Sequence, residues 1–245
     1  MKKLLCVSSA AAMLLAVAGP AMAQNAVVIT PGSSNNWVQR QPTSFLGVDM
    51  AQVLPNNLGY VSVSGPGFNY SRGMGGGGEL AAMLGATLAL QPTTFAANAG
   101  LGWKQQLTRA SNMAIAGNVM AGVTGIGSGT TGIGLTAGLP ISLDVGLGHF
   151  VVQPQVNFPN LTAGTAGAGA GANLGLMTPL ANNWQLLLAA TPTLNFGGGF
   201  GLPIGAGARF SPSDTAHIDV TVGQLNVTPF SGSLGLVGLT GHIGF

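Results

Sequence analysis

His217 and Asp219 stand two residues apart, a spacing that on a β-strand puts an imidazole and a carboxylate on one face. Such a pair could ligate a metal or relay a proton. No third ligand follows at a matching spacing, and a hydrogen-bonded cluster accounts for the pair equally well. Ser211, Ser213 and Ser231 have no base beside them in the pattern. The glycine runs at 75–78, 125–134 and 164–171 have the composition of phosphate loops, but none carries the Lys of a P-loop or leads into a helix. Turns and small inward-facing residues explain them. The remaining chemistry rests on a few scattered groups, among them Glu79, Lys104, Arg209 and His242. No catalytic, cofactor or metal site is expected, and the protein is expected not to be an enzyme.

That scarcity is general. Lys and Arg number 7 and Asp and Glu 5 in 245 residues, 5% of the chain, against 41 Gly, where a soluble domain carries about 25% charge. Mean hydropathy is +0.47. An ordinary soluble enzyme and a charge-rich disordered chain are excluded, and so is a nucleic-acid binder, which needs a basic patch.

Residues 1–23 read as a secretory signal peptide: Lys2 and Lys3, the apolar run Leu4–Ala18, the break at Gly19-Pro20, and Ala21-Met22-Ala23 ahead of cleavage after Ala23. Cys6, the one cysteine, falls inside it. Cleavage would leave Arg40, Arg72, Lys104, Arg109 and Arg209 against Asp49, Glu79, Asp144, Asp214 and Asp219, formally neutral and without thiol chemistry.

The chain beyond residue 78 alternates with period two. Phe200, Leu202, Ile204, Ala206, Ala208 and Phe210 oppose Gly201, Pro203, Gly205, Gly207 and Arg209. Phe150, Val152, Pro154, Val156 and Phe158 oppose Val151, Gln153, Gln155 and Asn157. Ten strands are expected, at about 79–91, 94–104, 112–124, 131–143, 149–158, 167–178, 183–196, 200–211, 215–227 and 233–245. Most exceed the ordinary five or six residues and match the about 9–11 that a tilted strand needs to cross a bilayer. The face opposite the apolar one is Gly, Ala, Thr, Asn and Gln, which suits a small lumen. Closure removes unpaired edges, the condition for strands in lipid. The fold class is therefore all-β: a single antiparallel up-and-down transmembrane β-barrel over 79–245, of ten strands, with twelve or eight as alternatives.

Aromatic residues sort by face and by end. With the last strand ending at the periplasm, Trp103, Phe150, Trp184, Phe210 and Phe245 fall at that end, and Phe95, Phe158, Phe196 and Phe200 at the other. Two such girdles, together with a last strand carrying Val237, Leu239, Ile243 and Phe245 at spaced positions, resemble bacterial outer-membrane β-barrel proteins as a superfamily. Gly241 departs from the expected apolar spacing. The resemblance implies insertion in the cell outer membrane, contact with its lipid and assembly by the barrel-assembly machinery. Some members hydrolyse or transfer lipid acyl groups through Ser/His constellations, but no subfamily is singled out and no functional residue carries over. Residues 24–78 are a periplasmic extension, a plug or two extra strands, with Phe45–Leu54 and Leu58–Val63 as the strand candidates.

Six lumen-parity groups, Glu79, Lys104, Arg209, His217, Asp219 and His242, fall in the periplasmic half. Hairpin symmetry pairs 79 with 104, 209 with 219 and 217 with 242, and closure of ten strands would bring Glu79 beside His242. A polar ring is expected there, fixing strand register or setting ion preference. Three functions follow as alternatives. The first is a passive narrow pore for small solutes or ions, or a structural barrel. The others are a non-enzymatic surface binding module and a secreted Gly/Ala-rich self-assembling β-protein.

Overall fold

The period-two segments pair antiparallel, each with its neighbour in the chain, and the last strand returns to the first. The computed structural model describes residues 42–64, 67–90, 93–126, 131–146, 148–161, 168–181, 183–227, 230–231 and 237–245, with backbone alone at 87–90, 93–95, 223–227, 230–231 and 237. The leader at 1–23 and the side chains of Phe95 and Val237 lie outside the described residues.

The strands are β1 (Gly59–Ser64), β2 (Gly67–Gly75), β3 (Gly78–Leu90), β4 (Thr93–Arg109) and β5 (Met113–Ile126). Then come β6 (Gly132–Gly138 and Ile141–Asp144), β7 (His149–Phe158), β8 (Gly169–Ala181) and β9 (Trp184–Ala190 and Thr193–Asn195). The last are β10 (Phe200–Gly201 and Pro203–Phe210), β11 (Ala216–Val227) and β12 (Val237–Gly244). β6, β9 and β10 are interrupted beside Pro140, Pro192 and Pro203, because proline has no N–H to give the ladder.

The sheet closes as a barrel of twelve strands, not ten. The twelve-strand alternative holds through one of its two candidate strands: Leu58–Val63 overlaps β1, whereas β2 lies in neither candidate. β1 has 6 residues and β2 has 9. β2 also carries exposed Arg72 on the outward face otherwise marked by Phe68, Tyr70 and Met74. Thr240↔Ser64 through Gly244↔Tyr60 join β12 to β1. An even strand count leaves Gly59 and Phe245 at one end, called here the terminus end. The turns at 76–77, 110–112 and 211–215 lie at the same end.

Side chains sort by parity. Leu101, Trp103, Val119, Ile133, Val156, Trp184, Leu188 and Ile204 are exposed on the outer wall. The inward neighbours Lys104, Ser142, Gln153, Gln185 and Arg209 are buried. Trp103, Trp184 and Phe245 are exposed at the terminus end, where Trp184 packs on Phe210 with ring centroids 4.9 Å apart. Phe150 and Phe210 are half-buried at that end, as is Phe158 at the far one. Phe196 and Phe200 are exposed at the far end, and Phe68 of β2 joins them there.

Residues 42–55 occupy the lumen. Ser44–Phe45 and Val48–Asp49 form a tight hairpin. Its two turn residues, Leu46 and Gly47, both have positive φ (48° and 79°), as a type I′ turn requires. Phe45–Leu54 is therefore not one strand. The chain then leaves at the terminus end, where Gly73 N donates to Leu58 O, and enters β1.

Barrel closure ends on a reciprocal backbone pair: Gly59 N donates to Phe245 O and Phe245 N to Gly59 O, both at 3.0 Å. The Phe245 ring also stacks on Tyr70 at 6.2 Å and covers Gly59, where a Cβ would sit 2.9 Å from its Cζ. Gly59→Val and deletion of Phe245 should each lower the yield of folded barrel, read as the heat-modifiable band in cold SDS gels. Unchanged yields from both would show that this seam is not needed for closure.

Candidate functional site: the occupied lumen

Alternation of apolar and polar residues inside a closed sheet leaves the inner wall with few apolar side chains. Three of them gather on neighbouring strands: Val151 on β7, Met177 on β8 and Leu187 on β9. They receive Phe45, Val48 and Met50 of the hairpin, all fully or nearly fully buried. Phe45 lies over Gly175, where a Cβ would stand 2.6 Å from the ring. That glycine is the space the aromatic needs.

Polar side chains of the wall hold the hairpin's backbone. Asn173 Nδ2 donates to Gly47 O (3.0 Å), Ala51 N to Ser142 Oγ (2.8 Å), Asp49 N to Gln153 Oε1 (3.1 Å) and Arg209 Nη2 to Ser44 O (3.2 Å). Asn118 Nδ2 donates to the Asp49 carboxylate at 2.6 Å. Glu79 accepts from Thr43 Oγ1 with one oxygen and from Leu54 N (3.0 Å) with the other, and Lys104 Nζ stands 3.3 Å from the second. Buried polar groups need such partners, and each bond here joins a segment to the wall that is distant in sequence. Burial pushes the Asp49 carboxyl above its ordinary value; Glu79 adds to that push, while Lys104 and the amides of Asn118 and Gln153 oppose it.

All six groups of the expected ring are buried and share the terminus-end half. The registers Glu79↔Lys104, Arg209↔Asp219 and His217↔His242 are present. The groups do not join into a ring, because β1 and β2 stand between His242 and Glu79. His242 Nδ1 meets Ser62 Oγ at 2.6 Å, and Glu79 turns to the hairpin.

Two clusters result. Glu79, paired with Lys104, clamps the start and end of the lumenal segment. On the other side, Arg209 makes two bonds to Asp219 (Nε to Oδ1 at 2.6 Å, Nη2 to Oδ2 at 2.8 Å), and His242 Nε2 lies 3.2 Å from Oδ2. His217 meets Ser211 (2.8 Å) and Tyr60 OH (3.3 Å), while Asp219 meets Arg209 and His242, so the H-x-D pair shares a strand face. Ser62, His242 and Asp219 have the residue types of a nucleophile–base–acid relay. Asp219 is also held by Arg209, and His242 and Asp219 are 6% and 4% exposed. Among the described residues no three His, Cys, Asp or Glu side chains converge as metal ligands.

Asn118, Ser142, Gln153, Asn173, Tyr60 and Ser62 belong to the site as much as the charged groups do. Ser142 and Gln153 carry lumen parity in the sequence, but neutral amides and hydroxyls recur all along the lumen face, so parity alone cannot mark the ones that find the hairpin. The class defined by fold and site is a closed antiparallel barrel of twelve strands whose interior is occupied by an upstream segment of its own chain. No family model matches this sequence, and no curated protein matches it.

Proposed function

We propose that this protein is an integral outer-membrane barrel acting as a passive, narrow pore for small solutes, constricted by its lumenal hairpin. The observation that carries this reading is the inverted wall. Large apolar side chains are exposed outside, charged and amide side chains are buried inside, and a closed sheet lies between them. Water outside such a wall would solvate leucine and phenylalanine while Arg209 is kept dry, an order that suits lipid. The exposed aromatics near both strand ends support an interfacial placement. Closure removes the unpaired edges that a self-assembling secreted sheet would use. The lipid of the outer membrane and the assembly machinery are its expected partners. The reading is non-enzymatic.

A structural barrel with a permanently shut lumen is the second reading, favoured by the many wall-to-hairpin hydrogen bonds. Planar-bilayer recording separates the two: discrete conductance steps support the pore, and silence from protein shown to be inserted supports the shut barrel. Insertion itself is tested by substitution. Ile204→Arg, exposed on the outer wall, should cost about 2–4 kcal/mol of membrane folding, whereas Gly205→Ser on the inner face should be near neutral. Equal behaviour of the two, or extraction of the wild-type chain by alkaline carbonate, would overturn the membrane reading.

A further inference from the structure

Beside the hairpin the lumen keeps an open cavity of about 280 Å³. Its polar side is built from neutral groups: Asn118, Thr136, Gln153, Gln155 and Asn173. Ala81, Gly102 and Met120 form an apolar side. The charged groups at its edge are already engaged, Glu79 with Lys104 and Asp49 with Asn118. From this combination we infer that the cavity binds a small neutral polyhydroxylated solute, up to about the size of one hexose ring. The inference rests on the pore reading only for the solute's passage; the site itself needs only that the cavity be reached.

Three features carry it. First, the amides are oriented by one another. Gln155 Nε2 donates to Asn173 Oδ1 (3.1 Å), and Asn173 Nδ2 donates to Gln153 Oε1 (3.1 Å) and Gln155 Oε1 (3.2 Å). An oriented amide presents a donor and an acceptor side by side, the complement of a hydroxyl, which is both. Second, β7 forms a graded column. Gln153 is buried against the hairpin, Gln155 is half-buried in the cavity, and Asn157 is exposed toward the far end. Thr136 Oγ1 donates to Asn157 Oδ1 (3.0 Å) and continues the column on β6. Hydroxyls could exchange partners step by step along it without meeting an unpaired charge. Third, the size excludes larger ligands. Drug-sized and cofactor ligands take about 300–1,000 Å³, and this cavity lies just below that range. Met120 and Ala81 offer apolar contact to the C–H face of a sugar ring, while two carboxyl groups, Asp49 and Glu79, against the single Lys104 disfavour an anion.

The test uses the full-length exported protein folded in detergent, with D-glucose as the probe and gluconate as the charged control. Equilibrium dialysis should show saturable glucose binding and much weaker gluconate binding. Gln155→Leu should weaken glucose about five-fold, the equivalent of one hydrogen bond of about 1 kcal/mol. Thr136→Val, an isosteric change, gives the same readout should Gln155→Leu fail to fold. Proteoliposome swelling by glucose then tests passage. Absence of saturable binding, binding unchanged in both variants, or equal binding of gluconate overturns the inference, even where conductance upholds the pore. Saturable, variant-sensitive binding without swelling upholds the site and overturns only the passage of glucose past it.

Discussion

Replacing Arg209 by Ala is expected to destabilise the folded barrel by about 3–5 kcal/mol, the cost of leaving one member of a buried ion pair alone. The guanidinium is fully buried, and it meets both Asp219 oxygens and the Ser44 carbonyl. Its removal leaves Asp219 in the wall with only His242 at 3.2 Å, and frees one backbone anchor of the hairpin. Arg209→Lys should recover little, since an ammonium cannot make the two parallel bonds. The double variant Arg209→Met with Asp219→Leu should recover much of the loss, because no unpaired charge then remains inside. Denaturant unfolding in lipid vesicles, followed by tryptophan fluorescence, reads all three. A loss below about 1 kcal/mol for Arg209→Ala would show that water reaches Asp219 and that the pair is not sealed in the wall.

Phe45→Ala should release the hairpin and leave the barrel standing. Truncating a buried Phe costs about 3–5 kcal/mol, and here the loss falls on docking, since Phe45 belongs to no barrel strand. That cost includes the lost packing against Val151, Met177 and Leu187. Gly175→Val attacks the same contact from the wall, placing a side chain where the ring now sits. Both variants should expose residues 42–55 to proteolysis and enlarge the conductance step, with the heat-modifiable band unchanged. Protection and conductance equal to the wild type in both would mean that the polar anchors alone hold the segment. Loss of the folded band would mean instead that the hairpin is part of the barrel's own core.

Much of the barrel was legible because its determinants are local. Alternation assigns a side chain to one wall whatever the strand's neighbours are, so Ile204 and Arg209 could be placed on opposite faces from the sequence. Hairpin pairing is also local. A residue's partner is its reflection across the turn, which is why Glu79 meets Lys104, Arg209 meets Asp219 and His217 meets His242. Closure is not local. Which strand meets β12 depends on how many strands precede β3; β1 is only 6 residues long, and Arg72 interrupts the outward apolar face of β2. His242 therefore met Ser62 where Glu79 was expected. The hairpin was hidden for a related reason. Leu46-Gly47 is a poor sequence signal for a type I′ turn, where Asn-Gly is the strong one. The site in which the turn is stable exists only once Gly175, Asn173, Gln153 and Arg209, contributed by β7, β8 and β10, have come together around it. Parity along one strand decides which side chains face inward. What they face there is decided by segments 25 to 165 residues away, through contacts that no single stretch of sequence contains.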